Sequence, residues 1–360
     1  MSSPNHGGNL AWAAQLAGCF PHDILDFSAS INPLGPPASA IAAIQSSLDQ
    51  LRAYPDPAYS HLRRVLADLH QLHPDWVCPG NGSAELLTWA SRELAQTKAA
   101  YLFAPAFGDY RRSLAAFGAR VMPQQLLEQW PQSGEHRISL APPPGCGLLI
   151  NNPHNPTGLL FDYSDLCDCL DAFELVVVDE AFIDFLPPGQ QPSLVPLVTQ
   201  YPNLVVLRSL TKFYSLPGLR IGYAVAHPER LQRWQRWRDP WSVNTLAAVA
   251  AEAAVRDAEF QAKTWRWLPP ARQNLIAGLA QKPGLTPYRS AANYVLVHCV
   301  DSATRLQRQL LQRHRILIRD CNSFPELGDS YFRIAVRTLE ENQRLLEALS
   351  DVLASEVIAG

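Results

Sequence analysis

The sequence predicts an α/β fold, with a large domain on a mostly parallel sheet followed by a smaller α+β domain. Two observations predict it. Short, continuous apolar runs recur at residues 99–103, 147–150, 175–178, 204–207 and 221–225. Runs without polar alternation are buried on both faces, as parallel strands covered by helices are. Most of the spacers are also long enough for the crossover helix that parallel neighbours require.

Element by element, the first forty or so residues are rich in Gly, Asn and Pro and too irregular for a domain. Residues 1–45 therefore read as a segment packed across both domains, with the large domain at 46–245 and the small one at 246–360. A helical stretch at 86–94 precedes the first apolar run. Beyond Pro228, apolar residues recur at three- and four-residue spacing over 229–238, 244–267 and 269–280, which predicts helices. A second strand and helix set comes next: a strand at 294–299, a helix at 302–314, strands at 316–319 and 331–336, and a closing helix at 339–354.

A chain of 360 residues with a formal charge of -3 has no basic excess to hold phosphate backbones or anionic lipid. Neither a nucleic acid nor a membrane is the expected partner. No apolar stretch approaches the ~18 residues a membrane span needs, and the N-terminus lacks a signal-peptide pattern. The seven cysteines show no CxxC pair and no zinc-like spacing, so no metal is expected and a reducing, cytoplasmic location is. The basic residues are four lysines against 26 arginines. A lysine in an unusual setting therefore stands out.

Ligands of such folds sit beyond the carboxyl ends of the parallel strands, so the residues after each run carry the chemistry. The run at 175–178 ends in Asp179, a carboxylate at the lip of a buried sheet, costly there without a partner. The run at 204–207 leads through Arg208, Ser209, Leu210 and Thr211 to Lys212, then to Phe213, Tyr214 and Leu216. Such apolar company lowers an amine's pKa and favours its nucleophilic form. Pairing with a buried acid would explain the same lysine structurally. Lys98, Lys263 and Lys282 sit in polar or turn-like contexts and read as solvated surface.

Two loops add to this. Gly80, Asn81, Gly82 and Ser83 precede the first helical stretch, a turn whose N–H groups suit an anion such as phosphate. Asn151, Asn152, Pro153, His154, Asn155 and Pro156 come after the run at 147–150, where prolines fix a loop that offers an amide. In order along the chain stand a phosphate turn, an amide, a carboxylate and a lysine flanked by Ser209 and Arg220.

On these residues the chain resembles the fold type I, aspartate aminotransferase-like family of pyridoxal 5'-phosphate (PLP) enzymes, over nearly its whole length. The resemblance implies that Lys212 forms the Schiff base with PLP and that Asp179 holds the protonated pyridine nitrogen. It places Asn155 on the cofactor phenolic oxygen and Phe107 on the ring face. It assigns the phosphate to Gly82, Ser83, Ser209 and Arg220, with Tyr54 reaching it across a homodimer interface. Arg333 is the implied clamp for a substrate α-carboxylate.

Within the family the likeness is closer to groups that act on phosphorylated amino substrates. His6, Gly7, Gly8 and Asn9, the segment around Ile31 to Gly35, and the stretch from Arg315 to Arg319 are similar to the decarboxylases of O-phosphothreonine in cobalamin biosynthesis. That likeness implies His6, Gly7, Asn32, Asn155, Arg319 and Arg333 as substrate contacts, with (R)-1-amino-2-propanol O-phosphate as product. Phe182 stands where aminotransferases of this group usually carry a tyrosine. His154 replaces an asparagine of the family loop, with little consequence expected. The alternative the likeness leaves is a histidinol-phosphate aminotransferase. The choice rests on which bond at Cα is held perpendicular to the cofactor plane.

Overall fold

A computed structural model of the chain describes residues 6–126, 138 and 140–357, so the first five residues of the expected N-terminal segment lie outside the described residues. Its strands begin with β1 (Leu25–Asp26), β2 (Val77–Asn81), β3 (Ala100–Ala104), β4 (Val121–Gln125), β5 (Gly147–Asn151), β6 (Leu175–Asp179) and β7 (Leu204–Ser209). They continue with β8 (Ile221–Ala226), β9 (Leu285–Pro287), β10 (Tyr294–Cys299), β11 (Ile316–Leu317), β12 (Arg319–Asp320) and β13 (Tyr331–Ala335).

The central sheet has seven strands in the order β2, β8, β7, β6, β5, β3, β4. Strands β3 to β7 run parallel, while β8 is antiparallel to both β7 and β2. The chain between β7 and β8 is too short for a crossover helix, so β8 has to return in the opposite sense. That short return carries Lys212.

Successive residues of the strands enter opposite cores. Leu148, Ile150, Val176, Val178 and Val206 pack on one side. Leu149, Leu175, Val177, Val205 and Leu207 pack on the other. Each such side chain contributes about 1.5–3 kcal/mol by leaving water, which is why the runs are continuous rather than alternating.

Three expectations are corrected. Strands β2 and β4 were not expected, because Pro79 and the polar Gln124 and Gln125 interrupt their apolar pattern; both are edge strands, where proline is tolerated. The helices expected at 244–267 and 269–280 are instead Thr245–Ala254 and Ala258–Ala280. The break falls at Asp257, whose side chain caps the second helix by accepting from the Phe260 N–H. That helix runs on through Pro269 and Pro270, and burial of Leu268, Ala271, Leu275 and Leu279 offsets the cost of about 3 kcal/mol for an internal proline. The strand expected at 316–319 splits: β11 pairs with β1, and β12 pairs with β13.

The smaller sheet is antiparallel, in the order β12, β13, β10, β9. The N-terminal segment is stitched to it. The Phe27 N–H donates to the Leu317 carbonyl at 2.8 Å, and the Ala335 N–H donates to the Phe27 carbonyl at 2.8 Å. Ala13 and Ala14 of the helix Leu10–Ala17 pack against Leu311 and Leu317. At Asn32 the segment passes to the other side, where its N–H donates to the Lys212 carbonyl at 3.1 Å. No helix among the described residues is long and apolar enough to cross a membrane.

Candidate active site

The carboxyl ends of β5, β6 and β7 open into a cleft of about 340 Å³ whose other wall is the smaller sheet and the N-terminal segment. His6, Gly7, Ser83, Phe107, Asn155, Asp179, Ser209, Lys212, Arg220, Arg319 and Arg333 all line it. Gly82, Asn32 and Tyr54 do not. Gly82 lies just behind: its φ of +74° favours glycine, and a Cβ there would stand 2.7 Å from Arg220 Nη2 and push that guanidinium aside.

Asn32, expected on the substrate, lies beneath the lysine loop, outside the residues that line the cleft. Its Nδ2 donates to the Phe213 carbonyl and to Thr264 Oγ1, both at 2.9 Å, and its Oδ1 accepts from the Leu34 N–H at 3.0 Å. With its amide so committed it shapes the loop that carries Lys212. Tyr54 is 81% exposed and lies outside the cleft against Trp241, the ring centroids 4.6 Å apart.

Asp179 closes β6 and is buried. Tyr110 Oη donates to its Oδ2 at 2.7 Å and the Ala181 N–H to its Oδ1 at 3.0 Å. Burial raises its pKa; the Tyr110 hydroxyl, the Ala181 N–H and the Lys212 charge each pull it back. Asn151 braces the strand end, with its Nδ2 on the Asp179 carbonyl at 2.6 Å and its Oδ1 on the Asn155 N–H at 2.7 Å. Below the sheet edge a buried ion pair, Arg208 Nη1 to Glu180 Oε2 at 2.8 Å, ties β6 to β7.

Lys212 is brought down to a pKa of about 8, by burial first and then by the Arg220 and Arg333 guanidiniums, against the pull of Asp179. At neutral pH a useful fraction is therefore neutral amine. In protein stripped of cofactor, acylation of Lys212 followed by mass spectrometry is expected to rise through a midpoint near pH 8; a midpoint above pH 10, as for a solvated lysine, would contradict the geometry.

Arg319 and Arg333 are direct cross-strand partners in the β12 and β13 pair, so their side chains rise on one face. Burial lowers the pKa of both, and the charge of Arg333 further lowers that of Arg319. Arg319 Nη2 donates to Ser323 Oγ at 2.5 Å, and Arg333 donates to Asn155 Oδ1. The Arg333 guanidinium lies 4.8 Å from the Tyr294 ring centroid. Phe182 meets that ring edge-on, centroids 4.9 Å apart. His154 is buried on Thr157 and does not line the cleft.

Sequence reasoning missed Tyr110 and Tyr294, and named Asn151 only as part of its loop. Tyr110 could have been found, since it lies one helical turn beyond Phe107 just after a strand end. Tyr294 could not, because its place under Arg333 depends on the antiparallel pairing of β10 with β13.

The residues fit the cofactor that the sequence implies. The helix Ser83–Leu94 has no side-chain cap on its first turn, leaving its N–H groups to an anion. Ser83, Ser209, Thr211 and Arg220 surround that terminus. A Cβ on Gly222 would stand 2.6 Å from the Ser83 nitrogen, so this cradle also requires a bare backbone. Asp179 is a buried carboxylate in want of a cation, which a protonated pyridine nitrogen supplies. Among the described residues no His, Cys, Asp and Glu cluster could hold a metal ion.

The profile of the family "Aminotransferase class I and II" matches residues 22–349. The chain is 41% identical over 357 residues to the threonine-phosphate decarboxylase of Salmonella typhimurium, covering 97% of this chain and 96% of that protein. It is 35% identical over 337 residues to a histidinol-phosphate aminotransferase of Symbiobacterium thermophilum, covering 92% and 91%. The structure of the histidinol-phosphate aminotransferase from Clostridium acetobutylicum superposes with a TM-score of 0.82 at 26% identity, over 92% of this chain and 100% of that one. By cleft, cofactor cradle and similarity together, the chain belongs to the aminotransferase class I and II family of PLP enzymes, with the fold type I architecture.

Proposed function

We propose that the protein decarboxylates O-phospho-L-threonine to (R)-1-amino-2-propanol O-phosphate, a step of cobalamin biosynthesis. The observation that carries this reading is the pair of cross-strand guanidiniums, Arg319 buried and Arg333 half-buried, on the wall of the cleft that holds Lys212. Two desolvated cations side by side suit one substrate with two anionic groups, a carboxylate and a phosphate. The similarity to the Salmonella decarboxylase, and Phe182 in place of a tyrosine, support loss of CO2 over amino transfer.

When bound, PLP supplies an aldehyde for an amine to condense with and a ring that accepts the electron pair released at Cα. The chain supplies the rest. Lys212 holds a proton it can deliver to Cα once the carboxylate has left, and its pKa near 8 suits that exchange. Arg333 and Arg319 fix the carboxylate and the phosphate, and so fix which bond at Cα is presented. His6 and Gly7 border the cleft from the N-terminal segment and partly screen it from water.

We also infer residues 46–245 and 246–360 as large and small domains spanned by the 1–45 segment, a cytoplasmic location, and a homodimer in which Tyr54 of each copy reaches the other's cofactor phosphate. The exposed apolar Ile41, Leu48, Leu51, Tyr54 and Trp241 support the dimer. Incubation of the purified protein with O-phosphothreonine should release CO2, and the active species should sediment as two chains. Amino transfer from histidinol phosphate to 2-oxoglutarate without CO2 release would replace this reading with the aminotransferase.

A further inference from the structure

Gly7 and Gly8 are held against the cleft by one serine. The Gly8 N–H donates to Ser28 Oγ at 2.7 Å, and Ser28 Oγ donates to Asp26 Oδ1 at 2.6 Å. The same Oδ1 accepts the Ser28 N–H at 2.7 Å. Ser28 is 2% exposed and itself lines the cleft. A Cβ on Gly7 would stand 2.2 Å from the Ser28 carbonyl oxygen, so the segment lies directly on that peptide. The positive φ of Gly8, +80°, turns the chain there into the helix that starts at Leu10.

The direction of the hydrogen bonds matters. A hydroxyl whose proton goes to a carboxylate presents its lone pairs, so Asp26 makes Ser28 an acceptor and thereby fixes the Gly8 N–H. Asp26 is itself held in place, because its carbonyl accepts from Arg337 Nη1 at 3.1 Å and its strand pairs with β11. Close on the N-terminal side of Gly8, His6 Nε2 lies 3.8 Å from Asp109 Oδ1, and its ring lies 5.8 Å from that of Phe107. The relay from Asp26 through Ser28 to Gly8 thus joins the β1 and β11 pair, which leads within two residues to Arg319, to the residues on the opposite rim.

We propose that Ser28, oriented by Asp26, is a positioning residue that sets His6 and Gly7 over the bound substrate. This deepens the proposed function and rests on it for the identity of the substrate. The hydroxyl forms and breaks no bond in the reaction; its effect is on how well the substrate is held.

With holoenzyme and O-phosphothreonine, Ser28→Ala is expected to raise KM about tenfold, the scale of one charge-supported hydrogen bond, with kcat changed by less than about twofold and the cofactor absorbance unchanged. Deleting residues 1–8 should raise KM at least as much. Adding Ser28→Ala to that deletion should then cost nothing further, since contacting residues lose their independence when one partner is gone. An equal KM penalty in the full-length and shortened chains, or none in either, overturns the proposal. If the unmodified protein releases no CO2, the functional reading fails, and proteolysis decides the relay separately. Thermolysin cleavage before Leu10 should then be faster in Ser28→Ala than in the unmodified chain; equal rates overturn it.

Discussion

Replacing Lys212 by alanine is expected to abolish turnover, by at least about 10⁴-fold, since nucleophile and proton carrier are lost together. It should also remove the yellow absorbance of the holoenzyme. Position and chemistry support the expectation at once. Lys212 is the one lysine that lines the cleft, and it is the one whose pKa is brought to about 8. Lys212→Arg is the informative companion. It keeps a cation between Asp179 and the two arginines but cannot become a neutral amine, so it should be as inactive as the alanine variant. Borohydride treatment of the unmodified holoenzyme, followed by digestion, should leave the reduced cofactor on the Lys212 peptide. Retention of more than about a hundredth of the activity in either variant, far above the loss expected for a missing nucleophile, would remove Lys212 from the chemistry.

The lysine was legible because local rules suffice for it. A continuous apolar run dictates a strand buried on both faces, and the residues just past the carboxyl end of such a strand lie at the cleft. The same logic reaches Asp179, Asn155 and Ser209. It does not reach the partners of Asn32, which stands in a family-like stretch, because Phe213 and Thr264, which its amide bonds, lie far along the chain. It fails for β2 and β4 because edge strands need no continuous apolar pattern. It fails for Ser28, and for the partner of Tyr110 though not for its position, because a hydroxyl's partner leaves no period in the sequence. The Tyr110 bond to Asp179 spans 69 residues, and the Gly8 bond to Ser28 spans 20. Composition helped only indirectly, by making one lysine among many arginines conspicuous.

Asp179→Asn is the second substitution with a large expected effect, a fall in kcat of about 10³-fold, the upper range for removing one preorganised electrostatic partner in a dry site. Asparagine keeps the shape and can still accept the Ala181 N–H, which isolates the charge as the thing removed. Burial raises the Asp179 pKa in the folded chain, so the ionised carboxylate costs stability that is felt increasingly as pH rises through that raised value. The neutral amide relieves this cost, and the cofactor-free variant should unfold at the same temperature as the parent or higher. Loss of activity without loss of stability separates the chemical role from a structural one. Tyr110→Phe should behave differently. It leaves the charge and removes one of the two hydrogen bonds to the carboxylate, so kcat should fall only about tenfold, within the range for a hydrogen bond to a charged group. Because the two groups touch, Tyr110→Phe in the Asp179→Asn background should cost much less than it does alone. If Asp179→Asn instead keeps kcat within about tenfold of the parent, well short of the loss a preorganised charge commands, the buried carboxylate is an element of the sheet edge and the electron sink needs no charge from this chain.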